Sequence, residues 1–339
     1  MVPQRIIALG ASAGGIEAVS KIISTLPPDI PAPLFVVLHV GPGSHGVLDQ
    51  IFSRAGSLKA KYAENGEQFR NGTVYIAPAD FHLIVKDGHV LLTRGPRENL
   101  ARPAIDPLFR SAAASHDSHM IGVVLSGMLD DGTAGLYTVK RCGGITCVQD
   151  PADASYPDMP RNAIENVKVD YVLPAVQMGP LLNRIVREPL RTETNMHIPD
   201  DVFKETQIAE SALSDISIIE QMGDKAPFVC PDCGGGLWEV KNDPIQRYRC
   251  NTGHAFTIRT LLASQNESLE RALWAAVRTL EERANMLKRL ADDSRRRGRL
   301  RSYTEWEKEA EESKKNAQHI RELLLGTVVE PAPPVAGRV

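Results

Sequence analysis

Short apolar runs alternate with helix-like stretches over residues 5–187, and this alternation restricts the fold more than any other feature of the chain. The runs are "RIIALG", "PLFVVLHV", "TVYIAP", "IGVVLSG" and "GITCVQD", with candidate helices at 16–26, 46–55, 105–116 and 133–141. A parallel strand pair needs a crossover of a dozen or more residues, so strands alternating with helices predict a parallel sheet covered on both faces. One stretch, "FHLIVKDGHVLLTR", breaks the alternation, and its Asp87-Gly88 between apolar runs is a hairpin signal. The expected class is α/β: a doubly wound, mostly parallel sheet with an antiparallel hairpin.

The carboxyl ends of such strands are where ligands bind, at the point where strand order reverses. The first run ends in "GASAGG". This is near the dinucleotide fingerprint G-x-G-x-x-G, but Ser12 stands where the middle glycine would let backbone approach a pyrophosphate. A dinucleotide fold also wants an acid at the end of the second strand, and here that strand ends in His39. The same residues read as G-x-S-x-G, Gly10 to Gly14, a sharp strand-to-helix turn that exposes a serine. The helix after it would aim its N-terminal N–H groups at an anion. His39 then stands where a base for Ser12 should be. The run "IGVVL" leads into "SGMLDDGTAG", so Asp130 or Asp131 could orient the histidine, although either could equally cap the helix that follows.

Five ordered motifs, "GASAGG", "VVLHV", "RPAIDPLFRSAA", "LSGMLDDGTAG" and "MPRNAI", resemble the catalytic domain of the CheB protein-glutamate methylesterases over about residues 4–188. The resemblance implies hydrolysis of glutamate methyl esters on methylated chemoreceptors, with release of methanol, and deamidation of receptor glutamines. It implies a Ser12–His39–Asp131 triad, with the second acid of the motif as the triad member. It also implies an oxyanion hole from N–H groups at Ala13 and Met128, and no cofactor for catalysis. The usual CheB carries a receiver domain before this one. Here the first strand begins at residue 5, so no receiver is expected, which puts control by phosphorylation in cis in doubt. The rival reading is a non-enzymatic signalling or scaffold protein that binds receptors or other partners.

Beyond residue 188 the texture changes. Residues 189–226 are polar and weakly periodic, and are expected to form a linker with one short helix. Such a segment offers little apolar surface to hold two halves together. Cys230-x2-Cys233 and, sixteen residues on, Cys250-x3-His254 are two ligand pairs that suit a closed, structural zinc site, a ribbon-like module over 227–260. Residues 261–326 carry Leu269, Leu273, Ala276, Leu280, Ala284, Leu287 and Leu290 at helical spacing, then break at Gly298 within "RRRGRLR". A helical hairpin that contacts a signalling partner is expected there, followed by a disordered tail over 327–339. The net charge of −3 and the balanced charges of this region argue against nucleic-acid binding. There is no export signal and no long apolar run, so no membrane insertion is expected. With only five cysteines, among them the isolated Cys142 and Cys147, a reducing cytoplasm is the expected compartment.

Overall fold

Every pairing in the main sheet of the computed structural model is parallel, and the strand order places the end of the first strand at the centre. The structure describes residues 5–41, 46–189, 198–210, 216–241 and 243–326 of the chain. Strand β1 (Ile6–Ala11) runs through α1 (Gly15–Ser24) to β2 (Leu34–Leu38), and α2 (Leu48–Ala55) leads to β3 (Lys59–Tyr62) and β4 (Thr73–Ile76). The hairpin β5 (His82–Lys86) and β6 (His89–Thr93) precedes α3 (Ile105–His116). Then come β7 (Met120–Val124), α4 (Thr133–Arg141), β8 (Ile145–Gln149), α5 (Asp158–Asn166), β9 (Tyr171–Leu173) and α6 (Ala175–Arg187). The seven-stranded order is β3-β4-β2-β1-β7-β8-β9. The chain places β2, β4 and the edge strand β3 on one side of β1, then returns to β7 on the other side and builds outward through β8 and β9. That reversal makes the carboxyl ends of β1 and β7 the switch point of the sheet.

β1 and β7 are buried at every position, as strands covered on both faces must be. Alternation along β1 divides the core. Ile7 and Leu9 join Val19, Ile22 and Leu182 in one apolar cluster. Ile6 and Ala8 join Phe109, Leu136 and Met159 in the other. The expected antiparallel hairpin forms, as a two-stranded sheet of its own. Its turn has Asp87 at φ 48° and Gly88 at φ 78°, the left-handed pair that a two-residue hairpin turn requires. β3 carries no apolar run that a sequence reading could find: it is "KAKY", a lysine-bearing edge strand.

Where a linker was expected, the structure has α7 (Asp200–Glu210), α8 (Ile216–Met222) and the start of β10 (Gly223–Val229). A four-stranded antiparallel sheet follows, β10 with β11 (Gly236–Val240), β12 (Arg247–Cys250) and β13 (Ala255–Thr257). These elements are tied to the parallel-sheet domain by buried charge. Glu205 of α7, 2% exposed, accepts from Arg247 Nη1 and Nη2 at 2.8 Å each and from Arg249 Nη2 at 2.8 Å. Arg110 of α3 lies 3.4 Å from the same carboxylate and donates at 2.7 Å to the buried Glu98. Arg249 also reaches Glu98 at 3.3 Å. Composition alone cannot tell such a network from a solvated linker, since both read as polar residues in sequence. The parallel-sheet domain, α7, α8 and the ribbon accordingly form one unit, Met1–Leu261, and Leu262–Val339 forms the second.

In the second unit, α9 (Ile258–Arg296, whose first turn belongs to the first unit) and α10 (Leu300–Gly326) are separated at Gly298, φ 69°. Val277, Ala284, Leu287 and Ala291 of α9 are buried, as are Ala310, Ser313 and Ala317 of α10. Arg283–Glu309 and Arg321–Glu281 pairs cross between the helices. The expected leucine stripe is therefore only partly used: Ala284 and Leu287 are buried, whereas Leu269 and Leu290 are exposed. The expected tail at 327–339 lies outside the described residues.

Candidate active site

Ser12 follows β1 directly. Its N–H donates to the Ser126 carbonyl at 2.9 Å, and its own carbonyl accepts from Gly15 N at 2.9 Å. The turn is thus clamped between the end of β7 and the first turn of α1. Gly14 sits at φ 74°, and a Cβ there would lie 2.7 Å from Ser126 Oγ. A Cβ on Gly127 would lie 2.9 Å from Ser12 Cβ and 2.0 Å from the Met159 sulfur. The two glycines let the loop after β7 pass against the serine. That loop is fixed in turn: Ser126 Oγ donates to the Ala13 carbonyl at 2.7 Å, and Gly127 N donates to the Tyr156 carbonyl at 3.0 Å. Among the described residues, no hydrogen bond engages the Ser12 hydroxyl or the N–H groups of Ala13 and Met128.

His39 follows β2. In the parallel register Ala11 lies opposite Leu38, and His39 N donates to the Ala11 carbonyl at 3.3 Å, so Ser12 and His39 leave neighbouring strands side by side. The ring's Nε2 donates to Asp131 Oδ2 at 2.7 Å, which leaves Nδ1 as the acceptor nitrogen. A cavity of about 370 Å³ opens beside the imidazole, lined by Asp80, Arg97, Asn99, Arg102 and Leu129.

Asp131 is 2% exposed and surrounded by donors. Besides His39, Ile105 N reaches Oδ2 at 2.7 Å, while Asn99 Nδ2 and Gly132 N reach Oδ1 at 2.8 and 2.9 Å. Ile105 opens α3, so the positive end of that helix points at the carboxylate. Burial opposes the anion, but hydrogen bonds from His39, Ile105 and Asn99 and the charge of His39 hold its carboxyl below the usual range. Asp106 shows the opposite balance. Burial and the neighbouring Asp131 charge push it well above the usual range, although Gly135 N and Asn99 Nδ2 donate to it at 2.6 and 2.8 Å. Asp130, adjacent in sequence, points elsewhere: it accepts from Thr257 Oγ1 at 2.8 Å, and burial raises it to about 6.

Of the residues read from the sequence, His39 and Asp131 are joined by a hydrogen bond, Ser12 and Ala13 follow the strand beside that of His39, and Met128 lies in the loop after β7. Asn99, Asp106, Ser126 and Thr257 were not singled out. Ser126 and Asp106 lie inside the motifs already quoted, but Asn99 lies in the polar stretch "RGPRENLARP", where no pattern marks it.

Three of the five cysteines gather with one histidine in the ribbon. Cys230, Cys233, Cys250 and His254 hold their ligand atoms within 4.8 Å of one another. Cys233 Sγ to Cys250 Sγ is 3.7 Å, and His254 Nδ1 lies 3.5 and 3.7 Å from the sulfurs of Cys250 and Cys230. A metal bonded to sulfur at about 2.3 Å in tetrahedral geometry gives edges of about 3.8 Å, so the four groups fit one ion. Gly234 and Gly253, at φ 73° and 95°, close the two knuckles with hydrogen bonds to the carbonyls of Cys230 and Cys250. Asp232 stands 3.9 Å from His254 Nε2, on the side of the ring away from the cluster. Hydrogen bonding with Cys230, His254 and Thr252 pulls the Cys250 thiol down. Cys142 and Cys147 are buried free thiols elsewhere, and burial pushes Cys142 up to about 11. No helix among the described residues is long and apolar enough to cross a membrane.

Fold and site together define a class: an α/β protein with a seven-stranded parallel sheet and a hydrogen-bonded imidazole and buried carboxylate beside its switch point. Comparison with known proteins is specific. The CheB methylesterase family matches residues 7–182. A protein-glutamate methylesterase/protein-glutamine glutaminase of Leptospira interrogans is 41% identical over 180 residues, covering 53% of this chain and 93% of that protein. The enzyme of the same name from Thermotoga maritima is 39% identical over 189 residues, with 55% of each chain covered. The crystal structure of the Thermotoga maritima CheB methylesterase catalytic domain superposes with a TM-score of 0.52 at 38% identity, covering 54% of this chain and all of that one. The chain belongs to the CheB methylesterase family.

Proposed function

We propose that this chain hydrolyses glutamate methyl esters on methylated chemoreceptors, with Ser12 as nucleophile, His39 as base and Asp131 as the acid that orients it. The observation that carries the reading is the His39 Nε2–Asp131 Oδ2 hydrogen bond, formed at strand ends beside a serine whose hydroxyl has no partner among the described residues. Ser12 Oγ attacks the ester carbonyl carbon as its proton passes to His39 Nδ1. The N–H groups of Ala13 and Met128 receive the oxyanion. The bond to the methoxy group breaks and methanol leaves with the proton from the imidazolium. Water then attacks the acyl-serine, gives a proton to His39, and releases the glutamate carboxylate as Ser12 regains its proton. A glutamine side chain can follow the same route, with ammonia as leaving group.

The reading extends to the rest of the chain. The Cys3His group is read as a structural zinc site; the metal would close the ribbon and add nothing to the ester chemistry. The free thiols fit a cytoplasmic setting. The helical hairpin is read as a second contact to the receptor, supported by Leu269, Trp274 and Met286, which stay exposed on α9.

The assignment of the nucleophile is tested with a fluorophosphonate. The reagent should modify the folded chain once, and peptide mass spectrometry should place the adduct on Ser12. Asp131→Asn should slow the labelling. Modification elsewhere, or at an unchanged rate in Asp131→Asn, would contradict the triad.

A further inference from the structure

The ribbon is joined to the candidate acid through one side chain. The amide of Asn99 bridges two carboxyl groups, with Nδ2 2.8 Å from Asp131 Oδ1 and 2.8 Å from Asp106 Oδ2. Its oxygen faces the other way, accepting from Thr257 N at 3.1 Å and from Thr260 Oγ1 at 3.4 Å. These two contacts fix which end of the amide points at the acids. Thr257 ends β13, which begins one residue after His254 of the Cys3His group. β13 also holds the Asn99 backbone: Asn99 N donates to the Ala255 carbonyl at 2.8 Å, and Ala255 N donates to the Arg97 carbonyl at 3.2 Å. Asn99 and Leu100 are held at φ 50° and 66°, left-handed conformations that side-chain-bearing residues keep only where their surroundings impose them. Leu100 packs on the apolar cluster of the ribbon, which includes Cys230 and Cys250.

We propose that Asn99 is a positioning residue for ester hydrolysis and that β13 sets it, so that turnover depends on the folded Cys3His ribbon. The inference rests on the triad and metal readings proposed above. The ribbon holds Asn99, Asn99 holds Asp131 Oδ1, and Oδ2 of the same carboxylate holds His39 in the tautomer that leaves Nδ1 free. When the metal is lost, the knuckles that end at His254 loosen, β13 releases the Asn99 amide, and the acid loses its register with the imidazole. The ribbon therefore acts as a brace on the active site, and a reagent that removes the metal slows the enzyme without touching Ser12, His39 or Asp131.

The test uses the full chain with a small soluble glutamate methyl ester, so that no receptor contact is involved. Metal analysis and wild-type turnover come first: a chain without zinc, or without activity, would overturn the readings beneath the proposal and not the coupling itself. Asn99→Gly is the informative substitution, because glycine tolerates φ 50° and only the amide is lost. It should lower kcat on the order of 10- to 100-fold at similar KM, the size of effect that a small misplacement of a reacting group produces. The downfield proton signal of the His39 Nε2–H···Asp131 bond should weaken in that variant, with zinc content unchanged. Cys233→Ser should lose zinc and fall in kcat by a similar factor. The double variant should be no slower than the slower single one, because both act through the same amide. Independent, multiplying effects would overturn the proposal. So would an Asn99→Gly chain with wild-type kcat and an unchanged downfield proton, a result that stands even if Cys233→Ser fails to fold. A rise in kcat on zinc loss would make the ribbon a cover and would also overturn it.

Discussion

Two adjacent aspartates in "MLDDG" have opposite surroundings, and that difference separates their roles at the scale of single residues. Asp131 is held ionised by five donors, counting the 3.4 Å approach of Asp106 N, and touches the imidazole. Asp131→Asn should cost roughly 10⁴ in turnover, because an amide that donates to Nε2 selects the wrong tautomer. Asp130 accepts a hydrogen bond from Thr257, and burial raises its carboxyl from 3.8 to about 6. The folded state thus binds a proton there that the unfolded state has released. Its contribution is most favourable below about pH 4 and is lost as pH rises through about 6. Near neutrality the deficit is on the order of 2–3 kcal/mol. Asp130→Asn keeps the acceptor for Thr257 and removes the charge. It should retain most activity and raise the melting temperature at pH 7.5, with little gain at pH 4. Thermal melts at the two pH values, with turnover measured alongside, check both halves; a loss of stability at pH 7.5 would contradict the account.

At the scale of elements, the sequence was most readable where an apolar run ends. Ser12, His39 and Asp131 follow β1, β2 and β7, so each was marked by the strand before it. The bounds expected for α3 and α4 agree with the structure for the same reason: apolar periodicity and flanking turn residues point the same way. The polar elements were not readable. Thr257 meets Asn99 across 158 residues of chain, and neither lies in a pattern that would have paired them. α7 is a clear case: its Glu205 is buried among Arg110, Arg247 and Arg249, a situation that sequence reports only as one acid among several. Glu205→Gln should leave Arg247 and Arg249 without a full counter-charge and destabilise the chain by about 3–5 kcal/mol. Urea unfolding of the Met1–Leu261 unit within the full chain checks this. A change below about 1 kcal/mol would mean that the network is not holding the ribbon to the sheet.

On the scale of the whole molecule, the family match stops at residue 182 while the first compact unit runs to Leu261. The part of the extension up to Leu261 thus belongs to the same compact unit as the candidate active site. The polar texture after residue 188 predicts that the chain can be cut near residue 190 with little disturbance to the parallel-sheet domain. That expectation does not survive Glu205, Arg249 and Thr257, which lie beyond that point and bond to Arg110, Glu98 and Asp130 before it, with Arg247 held to Glu205 on the far side. The long helices form the separate second unit. The central claim, that this body is a serine-dependent glutamate methylesterase, is tested most directly by methanol release from receptor membranes labelled on their methyl esters. The full chain should release labelled methanol, and Ser12→Ala should lower the rate by a factor on the order of 10⁴ to 10⁶ while folding normally. No methanol above background, or a Ser12→Ala chain that keeps more than about a tenth of the rate, a loss far smaller than removal of a triad nucleophile produces, would contradict it.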